Sequence, residues 1–213
     1  MYRASKAPLM DFFQRLRGTT LLILGFILIY KIGEAMLGRM SGVFYRDLGF
    51  SHADIANVAK LYGVTALIIG GICGGVLASR MGLLKALLIS GILMAATNLS
   101  YAWLAVAGND FPVFVFAVVS DQLTAGMATT TFVAYLSSLC NSAYTATQYA
   151  LLASAGNFAR IMYASASGFI ITALGGSWSV FFIATAAASI PGLLLLLWMI
   201  RRLPPPEITQ STE

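Results

Sequence analysis

Six stretches of this chain, at about 19–44, 54–79, 84–107, 112–139, 146–173 and 178–200, each run long and apolar enough to cross a bilayer as one helix. About 20 mostly apolar residues suffice for a crossing of about 30 Å. Hydrocarbon offers no hydrogen bonds, so a lone spanning segment must satisfy its own backbone, which a helix does. Short connections between the stretches predict an all-α membrane protein, a six-helix up-and-down bundle. Composition agrees, because 59% hydrophobic and 10% charged residues in a chain of 213 leave too little polar material to cover a soluble domain of that size. The formal net charge of +5 then belongs to flanks at a membrane surface; no basic surface with interleaved aromatics suggests a nucleic-acid partner.

The segment 1–17 is polar and basic, without a short apolar region ending in a cleavage site, and is read as a cytoplasmic linker rather than a signal peptide. Residues 18–202 form the transmembrane domain. Residues 203–213, opening on Leu203-Pro204-Pro205-Pro206, read as an extended cytoplasmic tail. Arg3, Lys6, Arg15, Arg17, Arg80, Lys85, Arg201 and Arg202 gather on one side, against Arg46 and Arg39 on the other, which places both termini in the cytoplasm. Phe50-Ser51-His52-Ala53-Asp54-Ile55 is a helix start: Ser51 can cap, Asp54 can answer it, and Phe50 can pack on Ile55. His52, the sole histidine, therefore reads as a surface residue. Cys73 and Cys140 lie in or at the end of apolar spans and read as small packing residues, so neither a disulfide nor a metal or cofactor is expected.

Lys31, Glu34, Asp121 and Arg160 interrupt the apolar stretches. An ionisable group at the centre of a spanning helix costs roughly 2.5–3.5 kcal/mol, so it persists mainly where it faces a bundle interior or a watery path. About twelve Val, Leu, Ile and Phe residues in the first stretch supply roughly −0.3 to −0.6 kcal/mol each, which two or three unrelieved charges would cancel. Lys31 and Glu34, three apart on one helical face, must be paired or hydrated; a structural ion pair and a pair lining a substrate or proton path both remain open. Asp121, followed by Gln122, lies about ten residues into the fourth stretch. A carboxylate there exchanges protons as water access changes, so Asp121 and Glu34 are the proton-coupling candidates, beside the plainer reading of a static hydrogen-bonded group. Gln122 suits an amide, a sugar or a neighbouring helix. The fifth stretch adds Gln148, Asn157 and Arg160, with Asn157 and Arg160 on one face. The planar donor fork of Arg160 suits a carboxylate, whether of an anionic substrate or of Asp121 or Glu34. Lys31, Gln122, Gln148, Asn157 and Arg160 are the substrate-binding candidates.

Gly70 with Gly74, and Gly71 with Gly75, form four-apart pairs that let another helix approach closely. Ala164, Ser165, Ala166, Ser167 and Gly168 carry the same packing signal. Asn98-Leu99-Ser100 matches a glycosylation sequon but falls inside a predicted span and is set aside.

The order of these features resembles the C-terminal six-helix half of a major facilitator superfamily transporter. Gly75-Val76-Leu77-Ala78-Ser79-Arg80-Met81-Gly82, followed by Lys85, is similar to the superfamily's glycine and basic motif between the second and third helices of each half. It departs from that motif at Ser79, where an acidic residue is usual, and at Leu83, where a basic one is frequent. Tyr30-Lys31-Ile32-Gly33-Glu34, Asp47-Leu48-Gly49-Phe50-Ser51, Asn98-Leu99, Leu139-Cys140-Asn141 and Tyr144-Thr145-Ala146-Thr147-Gln148-Tyr149-Ala150-Leu151-Leu152 together resemble the muropeptide permeases of the AmpG type, from about residue 8 to 202.

That resemblance implies proton-driven import of anhydromuropeptides across the bacterial inner membrane by alternating access, with links to peptidoglycan recycling and β-lactamase induction. Relatives that carry acetyl-CoA leave another anionic substrate open. The resemblance also implies a site between two six-helix halves, of which this chain supplies one. The expectation is a fragment or truncated reading frame, the alternatives being a homodimer, a separately encoded first half, or a non-transporting assembly or regulatory subunit. Membrane lipid, protons and a muropeptide-like solute are the expected partners. An enzyme is not expected: an intramembrane protease needs a nucleophile and a base within the bundle, and the sole histidine sits at a helix start with no Gly-x-Ser-x-Gly-like turn elsewhere.

Overall fold

A computed structural model describes residues 19–141 and 143–202; the expected linker at 1–17 and tail at 203–213 lie outside the described residues. Six antiparallel helical rods follow one another, and among the described residues every regular element is helical. The first rod is made of α1 (Thr20–Ile29) and α2 (Ile32–Asp47). The second is α3 (His52–Asn57), a wider π-helical turn (Val58–Gly63) and α4 (Val64–Met81). The remaining rods are α5 (Leu83–Ala107), α6 (Phe111–Ser138), α7 (Thr145–Ala173) and α8 (Trp178–Arg202).

Local chemistry accounts for the rod ends. Ser51 Oγ accepts the Asp54 backbone N–H at 3.1 Å and donates to Asp54 Oδ2 at 2.6 Å, so the expected cap forms, and His52 is exposed at the first helical position. Asp110 caps α6 in the same way, its Oδ1 accepting the Val113 N–H at 3.0 Å. A single residue, Gly82, turns the chain from α4 into α5 at φ +83, a conformation that a Cβ would strain.

Five rods are long and apolar enough to cross a membrane: Thr20–Asp47, His52–Met81, Leu83–Ala107, Phe111–Ser138 and Trp178–Arg202. The fifth rod, α7, is as long as its neighbours but carries Gln148, Asn157, Arg160 and many small or hydroxylated residues, which dilute its apolar content.

The first rod departs from the single helix expected over 19–44. It breaks at Tyr30 and Lys31, where Lys31 sits at φ −100, ψ 18, and the ladder resumes with Ala35 N–H donating to Lys31 O at 3.0 Å. Glycines admit α8 closely at this break. A Cβ on Gly33 would meet Ser189 Oγ, Thr185 O at 2.9 Å and Asn98 Nδ2 at 3.0 Å, and one on Gly192 would lie 3.3 Å from Ile29 O.

The rods pack in the spatial order second, fourth, third, sixth, first, fifth, and α6 barely touches α7. Two apolar cores lie at opposite ends of the bundle, one around Phe26, Tyr30, Leu87, Phe132, Tyr135 and Met199, the other around Phe44, Tyr45, Tyr101, Phe114, Phe181 and Phe182. Close ring pairs such as Phe44 with Phe182 (4.8 Å) and Phe50 with Phe114 (4.4 Å) each add about 0.5–1.5 kcal/mol beyond burial. Lys31 and the break separate the two cores. Large apolar side chains such as Ile68, Ile72, Val106 and Phe169 point outward, as suits a surface solvated by lipid.

Candidate functional site

The four-apart glycines decide where α6 sits. Gly70 and Gly74 of α4 lie against the α6 backbone, where a Cβ on Gly74 would come within 2.7 Å of Met127 O and one on Gly70 would overlap Leu123 O. Gly126 returns the fit against Leu67 O and Gly71 N. Held in this rotation, α6 points Asp121 and Gln122 toward α2 and α5, and Thr129 and Phe132 toward the break in the first rod.

Lys31 and Glu34 pair there. Lys31 Nζ lies 3.1 Å from Glu34 Oε2, donates to Thr129 Oγ1 at 2.9 Å and stands 5.8 Å from the centre of the Phe132 ring. Both side chains are partly exposed, at 18% and 19%, so the pair is accessible from one side although Glu34 Oε2 itself is buried. Glu34 also occupies the first turn of α2, where the N-terminal end of the helix dipole favours a negative charge. The break thus serves the charges: it presents a lysine and a helix N-terminus to one carboxylate.

Two adjoining recesses open beside this pair. One, of about 290 Å³, is lined by Lys31, Glu34, Thr129, Asn157 and Arg160, and lies between the first rod, α6 and α7. The other, of about 770 Å³, runs between α2 and α7 past Glu34, Arg39, Arg160, Ser165 and Gly168. That volume is in the range of small-molecule sites. Arg160 is exposed and makes no ion pair among the described residues. Its guanidinium is free to meet a ligand rather than Asp121 or Glu34.

A third recess, of about 210 Å³, is lined by Ser41, Tyr45, Tyr101, Asp121 and Gln122 and bordered by Ala59 of the π-helical turn. Tyr101 OH donates to Asp121 Oδ2 at 3.4 Å, and the Tyr45 and Tyr101 hydroxyls are 2.9 Å apart. Asp121 is buried, at 7% exposure.

The candidates therefore divide. Lys31, Glu34, Asn157 and Arg160 share a wall, while Asp121 and Gln122 occupy a separate recess. Gln148 belongs to neither: it is buried and its Oε1 accepts the Asn141 N–H at 2.7 Å, fastening the start of α7 to the end of α6. Arg39, Thr129, Tyr45 and Tyr101 join the site without having been singled out from sequence. Arg39 reads as an end-of-span charge, and the two tyrosines read as core aromatics until their hydroxyls are seen to meet.

A family model, the Major Facilitator Superfamily, matches residues 18–213. The anhydromuropeptide permease of Escherichia coli K12 is 38% identical over 196 residues, covering 92% of this chain and 39% of that protein. A Rickettsia conorii protein named as transporter AmpG 4 is 35% identical over 192 residues, covering 90% of this chain and 45% of its own. A Rickettsia prowazekii protein named as transporter AmpG 3 is 37% identical over 163 residues, covering 76% of this chain and 38% of its own. The chain spans less than half the length of these relatives.

Proposed function

This chain belongs to the major facilitator superfamily, and from that premise we propose that it supplies the C-terminal six-helix half of a proton-coupled transporter importing anhydromuropeptides across the bacterial inner membrane. The observation that carries the reading is the charged wall at the broken first rod: the paired Lys31 and Glu34 beside the unpaired Arg160, flanking a recess of about 770 Å³. Similarity to the E. coli permease supports the solute class. The charge pattern of the flanks supports termini on the cytoplasmic side. The protein acts as a carrier rather than an enzyme, and a second six-helix half, on the same chain, on another chain or in a second copy, closes the cavity from the other side.

Arg160 and Lys31 meet the carboxylates of the solute, Asn157 and Gln122 its amide or sugar groups, and Asp121 or Glu34 carries the proton. Uptake of labelled anhydromuropeptide by cells expressing the assembled transporter tests the assignment. The Asp121→Asn, Arg160→Ala double variant is expected to abolish uptake, and wild-type uptake by it sinks the site. Two arginines in one recess, Arg39 and Arg160, would also suit another anionic solute such as acetyl-CoA. Competition by unlabelled acetyl-CoA against the muropeptide decides between them.

A further inference from the structure

Asp121 has no basic partner in its recess; its neighbours there are hydroxyls and the Gln122 amide. Hydrogen-bond bookkeeping orients those hydroxyls. Each tyrosine has one O–H to donate, and Tyr101 spends its proton on Asp121 Oδ2 at 3.4 Å. The 2.9 Å contact between Tyr45 and Tyr101 must then run from Tyr45 OH to the Tyr101 oxygen. This leaves the Tyr45 oxygen as an acceptor at the far end of a directed chain, Tyr45 to Tyr101 to Asp121. The three residues come from three helices, α2, α5 and α6, and all are buried, Tyr101 at 1% and Tyr45 at 7% exposure. Rings alone would fill this core equally well, so stacking does not explain why both carry hydroxyls.

The recess beside the chain is about 210 Å³. A water needs about 10–15 Å³ of such space and two to four polar partners, so the recess has room for several, with Ser41, Tyr45 and Gln122 on its wall. The π-helical turn Val58–Gly63 borders it, and such turns recur at functional sites.

Resting on the transport reading above, we propose that Tyr45 and Tyr101 form a hydroxyl relay that delivers protons between water in this recess and the Asp121 carboxylate. In one passage the Tyr101 proton moves to Asp121 Oδ2, the Tyr45 proton replaces it on Tyr101, and an excess proton carried as hydronium in the recess replaces that on Tyr45, leaving neutral water. Each hydroxyl gives one proton and takes one, so no charge rests on a tyrosine and no co-reactant is needed. The titratable groups bearing on Asp121 are Tyr101 from α5 and Glu34 from α2, with Tyr45 one hydroxyl further on. Lys60 and Tyr62 of the π-helical turn are exposed.

Infrared difference spectroscopy of the purified chain in lipid follows the carboxylic-acid band that Asp121→Asn removes, and its shift after transfer to D₂O times proton exchange at that group. Tyr101→Phe and Tyr45→Phe keep both rings, and each is expected to slow the exchange on the order of 100-fold, the scale of a positioned proton-transfer group. In the assembled transporter, the same variants should lose uphill, proton-driven uptake but keep solute counterflow, which needs no net proton movement. Exchange as fast as wild type in both variants overturns the relay, as does the absence of any band that Asp121→Asn removes. Loss of counterflow together with uptake also overturns it, by showing that the tyrosines merely shape the site. A wild-type protein that exchanges the Asp121 proton through both tyrosines but moves no muropeptide overturns the transport reading and leaves the relay standing.

Discussion

Replacing Gly70 by alanine should weaken the fold, while the same change five residues on, at Gly75, should not. Both residues lie in α4, and an alanine in a helix interior gains about 0.5–1 kcal/mol over glycine at either place. The surroundings reverse the balance at Gly70. A Cβ there overlaps Leu123 O and stands 2.8 Å from Leu123 C and 3.0 Å from its Cα, all backbone atoms that no rotamer change can clear. Overpacking of this kind costs about 1–3 kcal/mol, and a backbone obstacle puts it at the upper end. The net effect is about 2 kcal/mol of destabilisation. At Gly75 the nearest atom is Thr130 Cγ2 at 4.0 Å, an ordinary contact, so the helix gain stands nearly whole. The two variants should therefore differ by about 3 kcal/mol, or roughly 150-fold in the folding equilibrium. Reversible unfolding in mixed micelles, followed by loss of helical signal, measures that difference directly. Equal stabilities for the two variants would refute the claim that α4 and α6 touch backbone to backbone at Gly70.

Other perturbations separate structure from transport. The Lys31→Met, Glu34→Gln double variant should destabilise less than the sum of the two single variants, with a coupling of about 0.5–3 kcal/mol in a double-mutant cycle; a coupling of zero would mean that the 3.1 Å pair contributes no interaction energy. Gln148→Leu removes the acceptor of the partly buried Asn141 N–H and should lower stability by about 1 kcal/mol while leaving solute affinity unchanged, whereas weaker binding at unchanged stability would return Gln148 to the binding site. Ser51→Ala should cost about 1 kcal/mol and Ser51→Asp much less, as read by thermal unfolding, and equal losses would show that the Ser51 contact does not cap α3.

What could be read in advance was what depends on neighbours in sequence. The six rods follow from runs of apolar residues, the Ser51 cap from four consecutive positions, and the role of Gly70 and Gly74 from a spacing of four that puts both on one helix face. The break at Tyr30 and Lys31 was hidden because a lone glycine, Gly33, does not by itself end a helix, and the contacts that accompany the break, Lys31 with Thr129 and Gly33 against α8, come from distant parts of the chain. The grouping of the site was hidden for a related reason. Asp121 and Arg160 share the property of being charged within a rod, but which recess each faces depends on how far α6 and α7 are rotated and on the spatial order of the rods. Tyr45 and Tyr101 lie 56 residues apart, and nothing local marks either as more than a core ring.

The polar content of α7 has a consequence for the solvent around the molecule. A rod that bears Asn157 and Arg160 on an exposed face cannot turn that face to acyl chains, whereas the exposed Ile68 and Ile72 of α4 are at home there. The surface is therefore wetted unevenly: α4 offers lipid an apolar face, while α7 exposes Phe158 and Phe169 to lipid and keeps the patch around Asn157 and Arg160 for water or protein. A carbene-forming lipid probe should mark Ile68, Ile72 and Phe169 and spare Asn157 and Arg160. Around Asn157 and Arg160 the neighbouring medium must supply water or a polar surface, which acyl chains do not.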